Sequence, residues 1–275
     1  MFPFNALAVT VTSTHADPLG PAVIEIGAAG ARVDPRSIRP PNLDLVFETR
    51  VNPGRPLPTI TTNWFGIGPE DVHDQPKLQA AVELLEAKAD RLAPDVLAAT
   101  HPPDLVAAVP DLAHRLLPGN PSWLSTFRLS YHVWPFHSDC MEPAASPEAD
   151  REIRARNLDP HLPASGAIRC LLLLARQACA LFKAGHTITP GTLQAWSAAV
   201  PLLATVPVAS RRYRGLPWRM VPRRFCETIA EQHRTGGARA FPPALEPMAV
   251  ATAAAALRGE YAVALADVRP PAGAV

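Results

Sequence analysis

Eight arginines fall between Arg211 and Arg239, namely Arg211, Arg212, Arg214, Arg219, Arg223, Arg224, Arg234 and Arg239, against two carboxylates, Glu227 and Glu231. Eight against two is a formal excess of six. Tyr213, Trp218 and Phe225 are interleaved with them. Guanidinium groups at this density neutralise phosphates and release counterions, and aromatic faces stack on bases, so a nucleic-acid surface is the chemistry this stretch can do. The competing structural account makes Trp218 and Phe225 a small core and the arginines its solvated face.

Other reactive types are less organised. His132, His137 and Cys140 are close enough in sequence to share a zinc ion, but a fourth ligand is missing and the spacing matches no standard finger. His101, His114 and His161 stand alone beside loops. Ser13 and Ser165 lack a Gly-x-Ser-x-Gly elbow, and no glycine-rich phosphate loop is present. Asp17, Glu25, Asp104 and Asp139 are the carboxylates from which a metal site would have to be assembled.

Composition limits the partners. Across 275 residues, Lys+Arg 26 and Asp+Glu 25 nearly cancel, so no global field attracts nucleic acid or an anionic membrane, and any binding must come from local asymmetry. With 48% hydrophobic residues, the chain can bury one sizeable core and a small second unit. Cys140, Cys170, Cys179 and Cys226 show no paired short spacing, as expected of reduced thiols in a cytosolic protein. The start, MFPFNALAVTVTS, lacks the basic opening and long apolar core of a secretion signal. The longest apolar run, Ala167 to Phe182, is interrupted by Arg169 and Arg176, which argues against a membrane span. The expected location is the cytoplasm, with no membrane partner.

These residues need a scaffold. Leu7 to Val11 and Ala22 to Ala28 alternate as strands, joined at Asp17-Pro18-Leu19-Gly20, and Leu45 to Val51 supplies a third. Pro76 to Ala93 places Leu78, Ala81, Val82, Leu85 and Ala89 at helical spacing, and Val96 to Thr100 returns to extended structure. Pro121 to Pro135 and Ala164 to Lys183 read as later helices. Pro190-Gly191 opens a connecting helix around Leu193 to Val200. Pro40-Pro41, Pro102-Pro103, Glu142 to Pro147 and Pro242-Pro243 read as turns or loops. Strands, then helix, then strand predict an α/β fold with a ribonuclease H-like mixed sheet flanked by helices, plus a small C-terminal module.

Three blocks carry a family resemblance. FETRVNPGRPLPTITTNWFGIGPEDV (Phe47 to Val72) resembles, without a gap, a conserved block of the DEDDh-type 3′–5′ exonucleases. PSWLSTFRLSYHVWP (Pro121 to Pro135) is similar to a helix of the exodeoxyribonuclease X branch, and SRRYRGLPWRMVPRRF (Ser210 to Phe225) to the module that follows its exonuclease domain. AVIEIGA (Ala22 to Ala28) resembles the family strand Ile-Ile-Glu-Ile-Gly-Ala-Val. The resemblance implies three parts: a degenerate exonuclease domain over 1–185, a connecting helix or linker over 186–205, and a small basic module over 206–275.

The resembled reaction needs two divalent metals about 4 Å apart, held by four carboxylates, with a histidine taking the proton from water. The resemblance places the first Asp and Glu on Thr10 and Thr12, and the third carboxylate on Leu105, or on Asp104 after a shift of one. The general base falls on Ser165 and the last carboxylate on Cys170. The histidine of the family's His-Gly-Ile-Thr falls on Phe65. Neutral hydroxyls are weak ligands for hard cations, so no catalytic residue, metal or cofactor is expected. The leading expectation is a catalytically inactive exonuclease-like protein that binds nucleic acid, DNA in the first instance, through Arg211, Arg212, Arg214, Arg219, Arg223 and Arg224. The alternatives are a weak magnesium- or manganese-dependent 3′–5′ exonuclease using a displaced site, and an interaction scaffold without nucleic-acid affinity. Nothing in the residues specifies an oligomeric state.

Overall fold

The computed structural model describes residues 3–14, 17, 20–119, 121–133, 147–199, 203, 213, 216–235 and 245–259. Five strands form one sheet: β1 Phe4–Ser13, β2 Val23–Val33, β3 Leu43–Arg50, β4 Val96–Ala99 and β5 Trp123–Ser125, in the order β3-β2-β1-β4-β5. β1, β2 and β3 pair antiparallel, and β4 and β5 add in parallel. This is the expected ribonuclease H-like mixed sheet. Its central strand is β1, where Ala6, Leu7, Ala8 and Val9 are all buried, so both faces of the strand read as apolar.

The two faces are covered differently. The 21-residue α8, Pro163–Lys183, lies over a row of small residues, Ala6, Ala8, Ala29, Ala31 and Ala98, which lets the helix approach closely. A Cβ at Gly27 would lie 2.1 Å from Ala164 N and Pro163 C, so only glycine fits beneath the start of α8. On the other face α3, Leu78–Leu92, seats Ala81, Val82, Leu85 and Ala89 against Leu7, Val9, Ala28 and Phe47. By length and composition α8 is apolar enough to cross a membrane, but most of it is buried as the central core helix.

Several elements differ from expectation for identifiable reasons. β2 runs on to Val33 because its AAGARV tail, poor in β-formers, is held by β1 and β3 on either side. Pro102-Pro103 does not mark a loop: it opens α4, Pro102–Ala108, where proline's fixed φ suits the first turn. The segment from Pro121 to Pro135 is not one helix, since Trp123–Ser125 pairs with β4 before α6 begins at Thr126–Val133. Short helices not anticipated are α1 Thr59–Phe65, α2 Pro69–Val72, α5 Leu112–Leu116 and α7 Pro147–Ala155. The turn at Asp17 to Gly20 is as expected, with Gly20 at φ +85° donating to the Asp17 carbonyl. Pro242-Pro243 and most of Glu142 to Pro147 lie outside the described residues.

Beyond α8, α9 Pro190–Ala198 packs back on the sheet edge, its Ser197 Oγ accepting the Ser125 N–H at 2.6 Å. A third core unites a 3-10 turn at Trp218–Met220 with α10, Arg223–Thr235, and α11, Glu246–Arg258. It is built on Trp218, Ile229, Met248 and Ala249, and Phe127 and Tyr131 of α6 reach into it.

Candidate functional site

The positions that the resemblance singles out lie near the C-terminal end of β1. Thr10 and Thr12 continue the row Ala6, Ala8 and so face α8. Thr10 sits across from Gly27 and beside α8: a methyl added at Gly166 would come within 3.3 Å of Thr10 Cγ2. Ser165 is fully buried and donates from Oγ to the Asp159 carbonyl at 2.7 Å. Cys170, one turn on, lies in the core with Sγ 3.5 Å from Thr126 Oγ1. Burial pushes its thiol up to about 11, against the opposing hydrogen bonds of Thr126 and Thr100. A thiol so placed is a small apolar side chain, not a ligand. Leu105 is turned away into the α3-side core with Val109 and Leu112. Phe65 ends α1 at the surface. Thr10, Thr12, Ser165 and Cys170 therefore share the α8 face, but as packing and local hydrogen bonds, and Leu105 does not join them.

Carboxylates do stand nearby. Glu25, cross-strand from Thr12, is 5% exposed and accepts a hydrogen bond from the Thr12 hydroxyl. It lies on β2, an internal strand of the sheet. Burial raises its pKa above the usual value, Glu48 and Asp159 add to the rise, and Thr12 and Arg50 oppose it. Glu48 accepts the Ala164 N–H at the start of α8 and is likewise raised by burial and Asp159. The cation among them is Arg50, with Nε 3.8 Å from Glu25 Oε1 and Nη1 2.5 Å from Asp71 Oδ1. Arg50, Glu48 and Asp159 were not among the residues singled out from sequence. Arg50 is brought to Glu25 by the register that sets the two opposite each other across β2 and β3, which no single segment of sequence carries.

Among the described residues no three histidine, cysteine, aspartate or glutamate side chains could hold a metal ion. Of the other carboxylates considered, Asp17 is 2.7 Å from Arg55 in the β1–β2 turn, Asp104 sits in the first turn of α4 beside His101, and Asp139 lies outside the described residues. The three-residue zinc arrangement also falls partly outside them, at His137 and Cys140. His132 is placed 3.3 Å from the Ala199 carbonyl and against Trp196, and burial lowers its pKa. Among the described residues, those at the positions that the resemblance picks out do not fit the two-metal centre it implies.

In the C-terminal core the aromatics pack with one another. Trp218 is fully buried, and Phe225 lies 4.7 Å from Tyr213 and 6.3 Å from Trp218, ring to ring. Trp218 thus takes the core position that the structural account gives it, while Tyr213 and Phe225 are half-buried. Arg211, Arg212 and Arg214 lie outside the described residues. Arg219 belongs to the 3-10 turn, and Arg223 and Arg224 open α10. Arg223 is 74% exposed with Nε 2.9 Å from Glu227, and Arg234 pairs with Glu231 at 2.7 Å. Burial also raises the pKa of Cys226 beneath them.

No protein-family model and no curated protein matches the chain. Solved structures do. It is similar to "Exonuclease X in complex with 5' overhanging duplex DNA", at 14% identity and TM-score 0.43, over 70% of this chain and 99% of that one. It is similar to a 3'-exonuclease described by "3'-end specific recognition of histone mRNA stem-loop", at 10% identity and TM-score 0.43, over 67% and 84%. A third is the nuclease domain of 3'hExo, "a DEDDh family member, bound to rAMP", at 14% identity and TM-score 0.40, over 67% and 94%. All three descriptions name exonucleases or a nuclease domain, and one of them names a DEDDh family member.

Proposed function

We propose that this protein is a non-catalytic member of the exonuclease-fold group that binds nucleic acid, DNA in the first instance, through its C-terminal basic module. The observation that supports the non-catalytic half is the set of neutral side chains at the junction between β1 and α8. Thr10, Thr12, Ser165 and Cys170 are neutral there, and α8 rests on Gly27 and beside Thr10. Two dications at about 4 Å repel by roughly 17 kcal/mol at an effective dielectric near 20, and only charged ligands offset that.

The binding half rests on the six-charge excess from Arg211 to Arg239. Exposed pairs such as Arg223–Glu227 hold their partners weakly and leave the guanidinium open to phosphate. The test is the salt dependence of binding. Affinity for a labelled single-stranded oligodeoxynucleotide falls with salt at a logarithmic slope of about −0.7 per phosphate neutralised. Replacing Arg211, Arg212 and Arg214 by alanine flattens that slope by up to about three such steps. No binding at low salt, or an unchanged slope, sinks the reading.

A second reading, an interaction scaffold without nucleic-acid affinity, is favoured by one observation: Arg223 and Arg234 both have carboxylate partners on α10. The displaced-site exonuclease has least support, because Arg50 already occupies the neighbourhood of Glu25.

A further inference from the structure

We propose that an open cleft at the far end of the sheet from the Thr10 junction is a binding site for a phosphate-bearing ligand. Arg32 and Asn5 end the rows that bring Gly30, Ala28, Leu7 and Val9 under α3. There α3 terminates: Leu92 lies over Gly30, where a Cβ would meet Leu92 Cδ2 at 2.4 Å, and Ala93 turns into the left-handed region. The end of the face is left uncovered as a cleft of about 350 Å³. Asn5 fixes its geometry by donating from Nδ2 to the Leu92 and Ala93 carbonyls at 2.8 and 3.2 Å.

The lining joins a cationic rim to an apolar floor. Arg32, Lys88 and Arg91 contribute three positive charges against the single carboxylate of Asp44, and Leu45 and Leu92 form the floor. All three cations are exposed, and none forms a salt bridge with a described residue. Lys88 Nζ stands 6.0 Å from the Phe47 ring centroid. Exposed guanidinium groups lining one cleft, Arg32 of them also within the field of Asp34, suit the oxygens of a phosphate, and the leucine floor suits an apolar or planar group attached to it. The volume is at the small end of the range of ligand sites, roughly 300 to 1,000 Å³, so it takes one nucleotide unit and not a duplex. Asn5 and Thr10 are separated by roughly 17 Å along β1, and their side chains lie on opposite faces of the sheet, so the cleft is no part of the degenerate junction.

The phosphate has two sources, a free nucleotide or a nucleic-acid strand, and the experiment separates them. Amide chemical shifts of the full chain are followed during titration with a nucleoside 5′-monophosphate and, separately, with a short single-stranded oligodeoxynucleotide. Both titrations are run on the natural sequence and on a background in which Arg211, Arg212 and Arg214 are alanine, so that the cleft is read independently of the module. The expected result is shifts at Leu45, Leu92 and Asn5 that persist in that background, and a loss of affinity of about tenfold each for Arg32→Ala and Arg91→Ala. Saturation by the mononucleotide assigns the site to a free nucleotide, and saturation by the oligonucleotide alone assigns it to a strand. No shift in the cleft with either probe at millimolar concentration overturns the proposal. So does binding that Arg32→Ala, Arg91→Ala and Lys88→Glu all leave unchanged in folded protein.

Discussion

The β1–α8 junction and the C-terminal module solve opposite problems with charge. At the junction, helix and sheet meet so closely that Gly27 admits no side chain, and positions 10, 12, 165 and 170 carry hydroxyls and a buried thiol, with Glu25 and Glu48 alongside and Arg50 beside Glu25. In the module the interior is aromatic and aliphatic, and Arg223, Arg224 and Arg234 stay in water. The contrast teaches where function can still reside. Neutral, closely packed side chains stabilise a fold, but they offer no anionic ligands of the kind that metal-dependent chemistry needs. Exposed cations add little to stability and remain available to a polyanion.

The sharpest way to break that contrast is to return a carboxylate to the junction. Cys170→Asp places an uncompensated charge at a fully buried position, and a loss of about 3 to 5 kcal/mol, or failure to fold, is expected in denaturant titration. A folded, fully stable variant would mean that the junction is wetter than described. Gly27→Ala comes next, at about 3 kcal/mol, because the backbone of Pro163 and Ala164 must move. Its control is Gly166→Ala, where the nearest neighbour is a Thr10 methyl at 3.3 Å. Helix propensity gains up to about 1 kcal/mol there, so the net change should stay near zero.

A smaller effect concerns Glu25. Its carboxyl titrates above the ordinary value in the folded protein, so the native state holds the proton more tightly than the unfolded chain. Stability therefore falls as pH rises from the ordinary glutamate range through the raised folded value, and is level above it. Glu25→Gln should gain at most about 1 kcal/mol at neutral pH, and the gain should vanish below the ordinary glutamate pKa. A loss at neutral pH would show that the Arg50 contact outweighs burial. The smallest effect lies in the module, where Glu227→Gln frees Arg223. Stability should change by no more than about 0.5 kcal/mol, while nucleic-acid affinity at low salt rises.

Much of the sheet was legible because its signals are local. β1, β3 and α3 announce themselves by period, and the β1–β2 turn by Asp-Pro-Leu-Gly. The second half of β2 was not, since Ala-Ala-Gly-Ala has no strand preference and owes its conformation to neighbours on both sides. β5 was hidden for a related reason: three residues leave no period to read, and β4 alone defines them. At the candidate site, the neutral residues at positions 10, 12, 105, 165 and 170 are read directly from the chain. That Leu105 points to the opposite core is a fact of topology. The Glu25–Arg50 register and the cleft at Arg32, Lys88 and Arg91 depend on which strands meet and where α3 stops, information that no single segment holds.

The central claim is that the exonuclease-like fold is retained here without exonuclease chemistry. The measurement that meets it most directly is nucleotide release from the 3′ end of single-stranded DNA by the purified full chain, with magnesium and then manganese. The expected result is no release above a mock preparation, both for the natural sequence and for the double variant Thr10→Asp/Thr12→Glu, which still lacks two carboxylates and a general base. Progressive 3′-end shortening that survives further purification and is abolished by Glu25→Gln would contradict the claim and place a working metal site beside Arg50.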